Sequence, residues 1–260
     1  MTTTDPQAQQ PTAATEAGWH KAPLLGISIA TTGVSSDRDR VVGISVKGIN
    51  NERPFEHTWV INHGVELSPE VERMHGISAG VAAHSGLPAR TVYSELAKLL
   101  LNAISHEVPV VVFGAQFTFD FLIADAARHN IVLPLAYLTV LDVKVLDERS
   151  TPRRRKGKRT VAGLAESYKI AHPMLGHPAV NLLVVMRIAY MYAASHPAVA
   201  RTAPQDLHEM QAQWAAERAA EFNEYQQSMD RVARMSSTWP YSPRAVHRDS
   251  IATEGFRAVA

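Results

Sequence analysis

Cysteine is absent from all 260 residues. Disulfides, thiolate metal sites and cysteine nucleophiles are thereby excluded. Net charge is almost absent as well, since 26 Lys and Arg against 25 Asp and Glu leave +1. That balance alone implies no nucleic-acid partner. No apolar run approaches the ~20 residues of a membrane span. The best stretch, Leu182 to Ala194, is short and interrupted by Arg187. The opening Met1 to Ala17 is rich in Thr, Gln, Ala and Pro and lacks the basic and apolar regions of a signal peptide. These absences point to a cytoplasmic protein.

What is present is a globular composition, 46% hydrophobic and 20% charged, long enough to bury a substantial core. The charge is unevenly placed. Arg153, Arg154, Arg155, Lys156, Lys158 and Arg159 put six positive charges within seven residues, so the rest of the chain sums to −5. Residues 1–18 have almost nothing to bury and read as a disordered tail. A main domain is expected over 19–200, a helical extension over 201–244 and a tail over 245–260.

Within the main domain, Leu24 to Ile29, Arg40 to Val46 and Phe55 to Asn62 read as strands, with a hairpin loop at Ser35 to Asp39. A helical turn after Pro69 breaks near Gly76. Val92 to Ile104 and Phe119 to His129 have helical periodicity, and Val110 to Phe113 reads as an interior strand. Val140 to Leu146, Thr160 to Ser167 and Ala179 to Ala194 are expected to be helical. In the extension, Leu207, Met210, Trp214, Arg218, Phe222, Tyr225, Met229 and Val232 step by three or four. They predict one amphipathic helix of about eight turns, with Pro204 in its first turn. It must lean on the main domain or on a second copy. Strands alternating with helices after a three-strand meander indicate an α/β fold.

Several segments carry chemistry or a likeness. They are Leu24 to Gly33 (ending Thr31-Thr32-Gly33), Met74-His75-Gly76-Ile77, Arg155-Lys156-Gly157-Lys158-Arg159-Thr160, Leu207-His208-x-x-Gln211-x-x-Trp214-Ala215, and Trp239-Pro240. Their order resembles the DnaQ-like 3′-5′ exonuclease family, that of the bacterial polymerase proofreading subunit and RNase T. It looks most like the stand-alone exonuclease-domain proteins of actinobacteria and their phages. The resemblance implies a ribonuclease H-like fold, a mixed five-stranded sheet flanked by helices, with a long C-terminal helix. Active relatives use four carboxylates, two Mg²⁺ or Mn²⁺ ions and a histidine general base. Carried onto this chain, the four carboxylate positions fall on Ser28, Ala30, Thr118 and Leu182, and the histidine on His177.

Neutral oxygens bind Mg²⁺ far more weakly than carboxylates do, and leucine supplies no ligand. No metal or other cofactor is therefore expected, and His177 reads as vestigial. Asp120 lies two residues after Thr118, on the opposite face of a helix, and Asp125 two turns along the same face. Neither restores a two-ion site. The basic run reads either as a solvated loop or as a phosphate contact whose binding would fall steeply with salt. Thr31 and Thr32 shape the turn after the first strand, and in active relatives that turn lies against the terminal nucleotide. The leading expectation is an inactive exonuclease homologue that retains single-strand or 3′-end binding. A scaffold dimerising through the Leu207 to Val232 helix, and a residual metal-dependent exonuclease, are the alternatives.

Overall fold

The computed structural model describes residues 18–155, 157–232 and 234–242. The N-terminal tail, Lys156 and everything from Pro243 onward lie outside the described residues.

Strands β1 (Leu24–Thr31), β2 (Val41–Ile49) and β3 (Phe55–Asn62) form an antiparallel meander. Two short helices follow, α1 (Pro69–His75) and α2 (Ala79–Ser85), then a two-residue strand β4 (Leu87–Pro88) and helix α3 (Ala89–Ser105). Next come β5 (Val110–Val112), α4 (Ala115–Ala127), β6 (Val140–Asp142) and α5 (Val143–Ser150). Helices α6 (Val161–Ser167), α7 (Pro178–Ser195), α8 (Pro197–Arg201) and α9 (Pro204–Ser228) complete the order. The sheet runs β4-β3-β2-β1-β5-β6, with β5 parallel to β1 and β6 parallel to β5. It is the mixed, helix-flanked sheet the sequence predicts, with six strands in place of five.

Alternation along β1 sorts its side chains between two layers. Leu25 and Ile27 join Val92, Leu96 and Leu100 of α3 and Phe119 and Leu122 of α4 in one core. Leu24 joins Val111, Leu141 and the inner stripe of α7 (Leu182, Val185, Met186, Ala189) in the other. Helix α7 is long and apolar enough to cross a membrane, but half of it is buried within the protein, as befits a core helix.

Two expectations need correction. Val140 to Leu146 was predicted helical, yet Val140–Asp142 is a strand paired with β5, and the helix starts at Val143. A short apolar run carries no periodicity that separates strand from helix, and here the free edge of β5 decided. The long C-terminal helix ends at Ser228, short of Val232. Asp230 takes a left-handed φ of 53°. The Arg231 and Asp230 N–H groups turn back to the Gln226 and Gln227 carbonyls, at 2.9 and 3.0 Å, closing the helix in a Schellman turn.

Candidate nucleic-acid site

Gly26, Ser28 and Ala30 share the face of β1 that α7 covers. Leu182, 1% exposed, and Met186 lie directly over Gly26. A Cβ there would come within 2.7 Å of Leu182 Cδ1 and 2.6 Å of Met186 Sδ. Across the ladder Ser28 faces Ser45, a buried residue whose Oγ is 2.7 Å from Thr58 Oγ1 on β3. Ala30 faces Gly43 and packs with Val42, Leu67 and Ile77. A Cβ on Gly43 would lie 2.7 Å from Ile77 Cδ1 and 3.2 Å from Pro178 Cγ. The corner after α1 and the corner before α7 thus meet above the Ala30–Gly43 pair. Ser28, Ala30, His177 and Leu182 are gathered on one face of β1. Thr118 sits in the first turn of α4, 4% exposed, and α4 begins beyond the end of β5 that runs beside β1.

These residues do not fit a two-ion centre. Leu182 offers only hydrocarbon, and it is buried against Gly26. The nearby acids are engaged elsewhere. Asp120 accepts the Ser242 N–H at 2.7 Å and so anchors the returning C-terminal segment. Asp125 is fully buried and accepts from Tyr93 Oη at 2.6 Å, Arg128 Nη1 at 3.0 Å and the Val41 N–H at 3.3 Å. Asp142 receives the Gly114 and Ala115 N–H groups at the start of α4, at 2.8 and 2.7 Å, and the Lys144 N–H at 2.9 Å.

His177 caps α7, its Nδ1 accepting the Ala179 N–H at 3.3 Å. His75 ends α1, and its Nδ1 accepts the Ile77 N–H at 3.1 Å. A nitrogen that accepts carries no proton, so each neutral ring bears its hydrogen on Nε2. The His177 Nδ1 is therefore occupied as an acceptor at the start of α7. Burial pushes the His75 pKa down and the neighbouring charge of His177 pushes it further, with Glu72 opposing. His75 is 3% exposed, and its Nε2 is sealed from solvent without a partner among the described residues.

The six-charge run divides by role. Arg154 and Arg159 both bind Asp147, a 1% exposed carboxylate on α5, with Arg159 Nε 3.0 Å from Oδ2. The hydrogen bond to Asp147 raises the Arg154 pKa despite burial. Lys158 pairs with Glu166 at 2.8 Å. Arg153 and Arg155 are exposed, with no ion pair among the described residues. Thr31 Oγ1 donates to the Gly33 carbonyl, and Thr32 Oγ1 donates to Asp39 and accepts the Arg40 N–H, so both threonines lock the β1–β2 hairpin.

A metal-like triad of His63, Asp125 and His129 lies apart from this face. It does not fit a cation. His63 Nε2 faces two acceptors, the Val41 carbonyl at 2.8 Å and Asp125 Oδ2 at 3.1 Å, and so must carry a proton. Arg128 already neutralises the carboxylate.

Sequence reasoning missed Asp147, Asp142 and the orphaned His75 Nε2. The Met74-His75-Gly76-Ile77 segment was visible as a likeness, but the burial of its ring was not. Gln211 and His208 also take roles that only three dimensions assign. Val140 donates its N–H to His208 Nδ1 at 3.0 Å. Asp142 donates its own to Gln211 Oε1 at 2.8 Å, and Gln211 Nε2 returns a bond to the Val140 carbonyl at 3.0 Å.

No family model and no curated protein sequence matches the chain. Solved structures do. Exonuclease I from Methylocaldum szegediense aligns with a TM-score of 0.55 at 16% identity. An exonuclease I structure described for its processivity aligns at 0.58 and 14%. A zinc-bound E. coli exonuclease I complex with single-stranded DNA aligns at 0.57 and 12%. Each covers 68% of this chain, and the chain spans 42% of each neighbour's length. At these identities the likeness shows the fold: the chain has the ribonuclease H-like architecture of exonuclease I.

Proposed function

We propose that this protein is a non-catalytic exonuclease homologue that binds single-stranded nucleic acid beside Ser28, at the end of β1 where α7 begins. The observation that carries the reading is the packing of Leu182 and Met186 onto Gly26, beside Ser28 and Ala30. Hydrocarbon and hydroxyls stand where a two-ion mechanism needs carboxylates. Without four negative charges the groove repels phosphate less than an active enzyme's does in the absence of its ions. A cavity of about 260 Å³ opens beside Ala30, lined by Val42, Leu67 and Ala79 together with the polar Asn62, His63 and Glu66. Arg153 and Arg155 add free positive charge on an exposed loop.

The dimerising scaffold has less support, because Leu207 and Gln211 of α9 are spent on β6. A residual nuclease would need acids that Asp120, Asp125 and Asp142 do not supply. The test is fluorescence anisotropy with single-stranded oligonucleotides in a chelator, alongside a 3′-end release assay in Mg²⁺ or Mn²⁺. Binding without release is expected. Metal-dependent release of 3′ nucleotides would overturn the reading, and so would failure of any strand to bind at low salt.

A further inference from the structure

We propose that the cavity beside Ala30 is a guanine pocket, in which His63 Nδ1 and Glu66 accept the base's ring N–H and amino group and Asn62 donates to its carbonyl. The inference rests on the nucleic-acid reading above and names the base that the strand would place there.

The loop after β3 and helix α2 enclose the cavity. Val42, Leu67 and Ala82 give it apolar walls, and Asn62, His63 and Glu66 give it polar ones. Its volume of about 260 Å³ falls just below the ~300 Å³ at which pockets for drug-sized ligands begin. That suits a single base better than a whole nucleotide. His63 is the fixed point of the wall, with its side chain only 4% exposed. Its Nε2 lies 2.8 Å from the Val41 carbonyl and 3.1 Å from Asp125 Oδ2, so the neutral ring carries its proton there. Asp125 is held in turn by Tyr93, Arg128 and the Val41 N–H, which fixes the orientation of the ring.

Nδ1 is then the ring's remaining polar atom, a bare acceptor with no hydrogen bond among the described residues. Unlike His75 Nε2, it is not sealed within the fold. Asn62 is oriented as well. Its Oδ1 accepts the Gly64 N–H at 2.9 Å, which leaves the amide NH2 as a donor. Glu66 is exposed and has no ion pair among the described residues. The polar wall thus offers a histidine acceptor, a carboxylate acceptor and an amide donor. Guanine presents the complement, a ring N–H and an amino group side by side with one carbonyl. Adenine and cytosine lack the ring N–H. Thymine sets its one N–H between two carbonyls, which would face the acceptors. No Lys or Arg lines the cavity among the described residues, so it draws in a base and leaves the phosphates to solvent. The hydrogen bond to Glu66 is charge-assisted and roughly twice as strong as a neutral one.

The test has two arms, both in a chelator. The first titrates the 5′-monophosphates of guanosine, adenosine, cytidine and thymidine by calorimetry. The second compares an oligothymidylate strand with the same strand carrying one dG, by anisotropy. The guanine ligand is expected to bind at least about tenfold tighter in each arm, the equivalent of one charge-assisted hydrogen bond. Guanosine monophosphate should also shift the nitrogen resonance of His63 Nδ1. Glu66→Gln keeps the shape of an exposed side chain and exchanges an acceptor for a donor, and Ala83→Leu narrows the cavity from an exposed position. Each is expected to reduce the guanine preference at least about fivefold, with circular dichroism confirming the fold. If the four monophosphates bind alike and dG adds nothing, the pocket is wrong, while binding of plain oligothymidylate keeps the nucleic-acid reading. If guanosine monophosphate is preferred but no strand binds, the pocket holds for free nucleotides and the strand reading falls. A guanine preference untouched by both variants would place the base elsewhere and overturn the inference.

Discussion

At the scale of single residues, Asp125 shows how position outranks identity. Its spacing from Thr118 places it along one helical face, and on sequence grounds it is a spare acid near a vanished metal site. In the fold it binds the hairpin, β3, α3 and α4 together through Val41, His63, Tyr93 and Arg128. Burial opposes its ionisation, but hydrogen bonds from His63 and Tyr93 outweigh that and hold its pKa below the usual range. A carboxyl whose folded pKa is depressed stabilises fully above its unfolded value, and that contribution fades as pH falls through the folded one. Asp125→Asn is therefore expected to cost about 3–5 kcal/mol in urea unfolding at neutral pH. The gap between variant and parent should narrow below about pH 4. A gap that stays constant down to pH 2, by the same measurement, would remove Asp125 from this role.

Among elements, the junction of α9 with β6 carries most information. An edge strand leaves backbone groups unpaired, and α9 supplies what a neighbouring strand would. His208 and Gln211 satisfy the Val140 N–H, the Asp142 N–H and the Val140 carbonyl. Trp239 returns to pack on His208, ring centroids 4.9 Å apart. Gln211→Ala would strand one buried donor and one buried acceptor, each worth about 1–3 kcal/mol. A loss of about 2–5 kcal/mol in urea unfolding is expected, with faster hydrogen exchange at the Asp142 amide. Unchanged exchange there would mean the edge is protected by something else. The stripe of Leu207, Met210 and Trp214 was legible as one helical face. What that face meets was not, because periodicity names a stripe and never its partner. The same ambiguity turned Val140–Asp142 from a predicted helix into a strand.

Over the whole molecule, a net charge of +1 conceals a divided basic loop. Arg154 and Arg159 are absorbed by the buried Asp147, while Arg153 and Arg155 remain available for phosphate. Single-strand binding releases counterions in proportion to the phosphates neutralised. Replacing Arg153 and Arg155 together by alanine should flatten the slope of log K against log salt by about 1.4. Arg154→Ala should instead lower stability and leave the slope nearly intact. An unaltered slope in the double variant would return the loop to a solvated surface.

The sequence by itself determined the α/β class, the opening three-strand meander with its hairpin, and a C-terminal helix with Pro204 in its first turn. These are local facts, set by side-chain chemistry and by periods of two and 3.6 residues. Only the tertiary structure decided that Asp120 would hold Ser242, 122 residues away. It also decided that Leu182 would seal Gly26, and that Gly176 would cross close against Met74 and His75, whose Nε2 is left without a partner. Such pairings arise from the crossing of loops and the stacking of layers. No local propensity carries that information, because the energy that selects it comes from burying surfaces far apart in the chain.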